Sequence, residues 1–189
     1  MSTMTARDSQ GKVNGVEVEQ LLQLIGDIEQ DSGCGRMQFR ATNQWLGGGL
    51  NRSRVQEFSA GGQVDATRQQ AFSLDNDEPA MLASDDTAPN PVEYVLHALA
   101  GCLTTTLVYH AAVQGIHVES VSSELEGELD LRGIFGMSED VRKGYEQVRV
   151  RMRVDSPASV EELETLAGFS PVYDIVSGSL PVELVIEKL

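Results

Sequence analysis

The chain has 189 residues, 29 acidic against 14 basic, for a formal net charge of -15 and a pI near 4.4. That balance repels nucleic-acid phosphates and anionic lipid, so neither is expected as a partner, and the 41% hydrophobic content excludes wholesale disorder. The size suits one compact domain with a real core. Two cysteines, Cys34 and Cys102, with no CxxC pair, give too few thiols for a disulfide scaffold and suggest a reduced, cytoplasmic setting. The first twelve residues lack the apolar run of a signal peptide, and no stretch is expected to reach a membrane span.

Along the chain, residues 1–13 are polar and read as frayed. Val18, Leu21, Leu22, Ile25 and Ile28 fall on one helical stripe, and Ser32-Gly33-Cys34-Gly35 ends that helix. Met37, Phe39, Ala41 and Trp45 alternate as in a strand interrupted at Asn43, and Gly47-Gly48-Gly49 turns the chain into a second strand over 52–58. The Gly-, Asp- and Ser-rich stretch over 61–88 holds a third short strand near Phe72–Leu74 and a long loop. Its acids Asp75, Asp77, Glu78, Asp85 and Asp86 lack the spacing of a calcium loop and read as solvated.

Asn90-Pro91-Val92-Glu93 is a strong helix start, with a capping Asn, Pro at the first helical position and an acid placed to reach back. The apolar run Tyr94–Val113 that follows implies a helix buried on most sides, ended by Gly115. Two alternating strands come next. Val121, Leu125 and Leu129 alternate with Glu124, Glu126 and Glu128, while Val148, Val150 and Met152 alternate with Arg149, Arg151 and Arg153. An antiparallel register pairing Glu128 with Arg149, Glu126 with Arg151 and Glu124 with Arg153 satisfies both faces. A glycine-containing connection over 132–146 joins them. Short helices at 159–167 and 171–177 and a final strand at 182–186 complete the chain.

No metal, phosphate or dinucleotide motif occurs, and the three histidines are too scattered to share a metal; no cofactor is expected. The remaining chemical candidate is Cys102, an unpaired thiol in an apolar helix. Such a thiol is ordinarily inert packing, and a reactive thiolate far from the helix start needs an external cation such as an arginine.

The segment 88–102, Ala-Pro-Asn90-Pro91-Val92-Glu93 through Ala100-Gly101-Cys102, resembles the signature of the OsmC family of osmotically inducible and organic-hydroperoxide-resistance proteins. Asp77-Glu78-Pro79, Gly168-Phe169-Ser170-Pro171-Val172 and Val182-Glu183 resemble further landmarks of that family. The resemblance covers residues 36–189, an OsmC-like domain, and leaves 1–35 as a polar N-terminus with an accessory helix. It implies an α+β fold of strongly bent antiparallel sheets around long central helices, as an intertwined homodimer. It also implies a peroxidatic cysteine that attacks a hydroperoxide and becomes a sulfenic acid, then a disulfide with a second cysteine that a dithiol reopens. An arginine from the first strands and a glutamate near the helix start tune the thiolate in that scheme.

Cys102 matches the peroxidatic position. Arg52 and Arg54 both match the arginine's strand, and the choice between them stays open. The family's glutamate position is Val92 here, with Glu93 one step further round the helix, as a candidate for the same task or for capping alone. The resolving position is Ser170, which leaves Cys34 as the only other thiol. The expectation is therefore a thiol-dependent redox protein reducing organic hydroperoxides at Cys102 with an external thiol. The alternative is a non-catalytic protein binding a small ligand in an intersubunit pocket under the 133–144 loop.

Overall fold

A computed structural model describes residues 11–178, so the expected final strand at 182–186 lies outside the described residues. The chain divides into two compact units, one of residues 17–95 and one of residues 1–16 with 96–189.

The unit over 17–95 is an α+β arrangement of one helix and six short strands. Helix α1 (Val18–Gln30) is followed by a single 3-10 turn at Ser32–Gly35, where Asp31 caps Gly33 as the Gly-rich break requires. Strands β1 (Met37–Phe39), β4 (Phe58–Ala60) and β5 (Gln63–Asp65) form one antiparallel sheet in the order β1-β4-β5. Strands β2 (Thr42–Gly47), β3 (Leu50–Val55) and β6 (Phe72–Asn76) form a second, in the order β2-β3-β6. The single strand expected over 37–45 is therefore two strands in different sheets. The region expected as one strand over 52–58 likewise divides between β3 and β4. Asn43, the polar residue that interrupted the alternation, bonds across the hairpin to Asn51 at 2.7 Å and Ser53 at 3.0 Å.

Helix α2 (Pro91–Val113) begins in the first unit and continues into the second. The capping box read from the sequence is formed: Glu93 N–H donates to Asn90 Oδ1 at 2.9 Å, and Asn90 N–H donates to the Glu93 carboxylate at 2.8 Å. Its buried side is the row Leu99, Leu103, Leu107 and Ala111, at the four-residue spacing of one helix face. Burial on most sides, expected from composition, is not what the single chain shows. Ala98, Gly101, Thr105 and Tyr109 are exposed, because a helix laid on one sheet covers one stripe only. The expectation that no stretch reaches a membrane span is also corrected. This helix has the length and hydropathy to cross a bilayer, but its leucine row is spent on protein packing.

The second unit is built on the hairpin of β7 (Ser120–Glu128) and β8 (Gln147–Asp155). Leu107 and Ala111 of α2 meet Val121, Met152 and Val154 of the sheet, and Leu166 of helix α4 (Val160–Ala167) closes the cluster. Ser159 and Glu162 form the reciprocal cap of α4. Helix α5 (Pro171–Ser177) follows, and His110 stacks on Phe169 with ring centroids 4.5 Å apart.

The register of β7 and β8 differs from the expected one by two residues. Glu124 lies opposite Arg151, Glu126 opposite Arg149 and Glu128 opposite Gln147. A two-residue slip keeps every side chain on its face, so apolar matching decides it. The observed register sets Val121 against Val154 and Leu125 against Val150; the expected one would have set Val121 against Ser156. Two anticipated ion pairs survive as diagonals, Arg153 to Glu124 at 2.7 Å and Arg149 to Glu128. Long side chains reach a diagonal neighbour readily, so the charges follow the register without setting it.

At the N-terminus, Val13 is buried, not frayed. Val13 and Val16 exchange backbone hydrogen bonds around a turn with positive φ at Asn14 and Gly15. The Asn14 amide donates to Ile116 O at 2.9 Å and accepts from Val118 N–H at 3.0 Å, pinning the exit of α2 to the entry of β7.

Leu107 is 1% exposed at the centre of the helix–sheet cluster. Leu107→Ala is expected to cost about 2–5 kcal/mol in urea unfolding, whereas Thr105→Ala on the opposite, exposed stripe should change stability by under about 0.5 kcal/mol.

Candidate functional site

Cys102 is the middle residue of α2 and is partly exposed. Ala98 and Thr105, four residues before and three after it, share its side of the helix and are exposed, so the thiol borders the open stripe. Its Sγ lies 3.9 Å from the Thr106 hydroxyl one turn on, a contact in which either group can donate. The helix that carries this sulfur is packed on one face and open on the other. That combination suits a reactive thiol better than the sealed apolar setting typical of inert cysteines.

The segment that launches α2 is organised by one of the five acids expected to be solvated, and the structure buries it. Asp77 is 1% exposed, and its carboxylate accepts four hydrogen bonds. Oδ1 takes Glu78 N–H at 2.8 Å and Ser84 Oγ–H at 2.5 Å, while Oδ2 takes Thr87 N–H at 2.9 Å and the Thr87 hydroxyl at 2.8 Å. The Ser84 hydroxyl, then the Thr87 groups, hold this carboxyl well below the usual carboxylate range. Asp77 N–H reaches Pro89 O at 3.4 Å, and the Tyr94 hydroxyl donates to Asp75 O at 2.8 Å, so loop and helix start are tied together. Gly49 in the β2–β3 turn donates to Ser84 Oγ at 3.1 Å, and a Cβ there would come within 2.7 Å of that oxygen. A side chain at 49 would therefore push the box apart. A lone buried acid among Ser, Thr and Gly is a signal of such a box, but one sequence does not show which of five acids is buried. Among the described residues no cluster of His, Cys, Asp and Glu could hold a metal.

The two candidate arginines share one face of β3 and differ in their commitments. Arg52 makes a bidentate pair with Asp75, Nε to Oδ1 at 2.6 Å and the terminal nitrogen to Oδ2 at 2.7 Å. The hydrogen bonds of this pair raise the Arg52 pKa and lower that of Asp75. Asp75 thus leaves the solvated cluster expected of it. Arg54 is exposed, lies opposite Ser73 and Thr42, and makes no ion pair with a described residue. Glu93 is placed by the capping box, so its carboxylate is held at the helix start.

Ser170 is 1% exposed and caps α5, its Oγ accepting from Tyr173 N–H at 3.1 Å. Cys34 is exposed in the 3-10 turn of the other unit. The 129–146 connection is folded, not open. Asp130 caps the short helix α3 (Leu131–Ile134) and pairs with Arg132, and Gly133 is buried so tightly under the Arg142 carbonyl that a Cβ would overlap it.

A family model described as OsmC-like protein matches residues 84–185, more than half of the chain, and the protein belongs to that family. Among solved structures, an OsmC-like protein from Mycoplasma pneumoniae is similar over 75% of this chain and 89% of its own, at 16% identity and a TM-score of 0.56. An OsmC-like protein of unknown function from Vibrio cholerae matches over 77% of this chain and 95% of its own, at 14% identity and a TM-score of 0.52. At these identities the likeness establishes the shared α+β fold. The comparison with curated proteins returns no match.

The Asp77 box makes stability depend on acid pH. Its folded pKa is depressed, so its contribution is complete above the unfolded carboxyl pKa of about 3.9 and is lost as pH falls towards the folded value. Asp77→Asn should lower the urea midpoint at pH 7. It should also flatten the loss of stability between about pH 5 and pH 2, as followed by circular dichroism.

Proposed function

We propose that this chain is a thiol-dependent redox protein that reduces organic hydroperoxides at Cys102, working in the cytoplasm as a homodimer. The observation that carries the proposal is a partly exposed thiol on the open side of the helix that the family model spans.

The Cys102 thiolate attacks the distal oxygen of the hydroperoxide. The O–O bond breaks, the alcohol leaves with the thiol's proton, and sulfur is left as a sulfenic acid. A first external thiol condenses with it to a mixed disulfide and water. A second thiol displaces Cys102 and carries away the disulfide, returning the enzyme to its starting state. This one-cysteine cycle follows from Ser170. The position that the family resemblance assigns to a resolving thiol holds a buried hydroxyl committed to a helix cap.

Of the two arginines, Arg54 is assigned the task of favouring the thiolate, since Arg52 is already saturated by Asp75. Glu93 is assigned a positioning role, fixing the start of α2 through Asn90, and is not given a proton to move.

Cys102→Ser should abolish dithiothreitol-dependent consumption of cumene hydroperoxide while leaving the fold intact, and an unchanged rate would end the enzymatic reading. Arg54→Ala should lower the second-order rate by about ten- to a hundredfold, equivalent to about 1.4–2.7 kcal/mol of barrier. Arg52→Ala should act mainly through sheet stability, leaving that rate within about twofold of its starting value.

A further inference from the structure

A hydroxyl on a helix commonly turns back to the carbonyl four residues earlier. Two in this protein do so: Thr165 donates to Glu161 O at 2.9 Å, and Ser177 donates to Tyr173 O at 2.7 Å. Thr106 departs from that habit. Its Oγ1 faces the side chain of the residue four positions back, 3.9 Å from the Cys102 sulfur, and among the described residues that sulfur is the partner it meets. Both side chains are half-buried, so this hydroxyl is not one simply turned out to solvent. The neighbouring Thr105 is exposed and borders the same open stripe of α2, from which a small molecule can reach the thiol.

The length of the contact is informative. At 3.9 Å it is a weak bond to a thiol, which is itself a poor partner for a hydroxyl. An oxygen joined to the sulfur and bent towards Thr106 would instead come within the O–H···O range of about 2.5–3.0 Å. The spacing therefore suits the sulfur once it carries an oxygen better than the sulfur alone.

We infer that the Thr106 hydroxyl donates a hydrogen bond to the distal oxygen of the hydroperoxide as Cys102 attacks it, holding that oxygen in line with the sulfur. The inference rests on the redox reading of Cys102 given above. The S–O bond forms, the O–O bond breaks, and the proton that left the thiol ends on the departing alcohol. Thr106 keeps its own proton throughout, because a hydroxyl is far too weak an acid to release it, and its contribution is alignment. With Ser170 in a helix cap, the sulfenic oxygen waits for an external thiol, and the same hydroxyl holds it meanwhile.

Two electrophiles separate this role from a general effect on the thiol. Cumene hydroperoxide brings an oxygen to the sulfur, whereas iodoacetamide brings a carbon that accepts no hydrogen bond. Second-order rates of Cys102 modification by each are measured at one pH in the full-length chain, with Cys34→Ser as background. Thr106→Val keeps the branched shape and drops the hydroxyl. It should slow the hydroperoxide step about three- to tenfold, the worth of one neutral hydrogen bond, while alkylation stays within about twofold of wild type. Thr106→Ser should restore the hydroperoxide rate, and Thr105→Val should leave both rates unchanged. An unchanged hydroperoxide rate in Thr106→Val, a parallel fall in its alkylation, or a Thr106→Ser variant equally slow would overturn the inference. A wild type alkylated at Cys102 but not oxidised by the hydroperoxide would instead end the redox reading, and this inference with it.

Discussion

The carboxylate of Asp77 is the constraint on which the loop leading into α2 depends. A buried charge is tolerated only when its lone pairs are met, and here four donors from Glu78, Ser84 and Thr87 meet them. The donors come from a loop that otherwise has little to hold it: a 3-10 turn at Ala80–Leu82 and a left-handed Ala83. By gathering that loop, Asp77 fixes Pro89 and Asn90, and through the reciprocal Asn90–Glu93 cap it fixes the first turn of α2.

From that start, α2 meets two demands with opposite faces. Leu107 and Ala111 anchor it to the β7–β8 sheet and α4, while Ala98, Gly101 and Thr105 keep the neighbourhood of Cys102 small and open. Leucines on both faces would seal the thiol, and polar residues on both would leave the helix without an anchor. The sequence Leu99-Ala100-Gly101-Cys102-Leu103 satisfies both demands within five residues. The sheet below shows the same division of labour. Val121 against Val154 and Leu125 against Val150 choose the register, and the arginines and glutamates on the other face adjust to it through diagonal pairs.

Much of this was legible from residues alone, where one local rule dominates. The cap at Asn90, the helical stripe of α1 and the alternation of β7 and β8 each depend on neighbours close in sequence, and each is present. What escaped depends on partners far along the chain. The division of residues 37–60 between two sheets is set by pairing with β5 and β6, which no local pattern announces. Five acids in one loop look alike until Ser84 and Thr87 select Asp77, and Arg52 selects Asp75. The register of β7 and β8 was misread by two because the charge ladder fits two registers and only the apolar face tells them apart. Of the site candidates, Cys102 is the one that stands in the motif of the family resemblance. The difference between Arg52 and Arg54 was not legible there, since it lies in the pairing of β3 with β6.

The central claim is chemical: the sulfur of Cys102 is oxidised by a hydroperoxide to a species that a small thiol can reverse. Treating the protein with one equivalent of cumene hydroperoxide in the presence of dimedone, followed by peptide mass spectrometry, addresses this directly. The account predicts a dimedone adduct on Cys102 and little on Cys34, and its loss when dithiothreitol is added before dimedone. An unlabelled Cys102, or an adduct that forms equally on both cysteines, would contradict it.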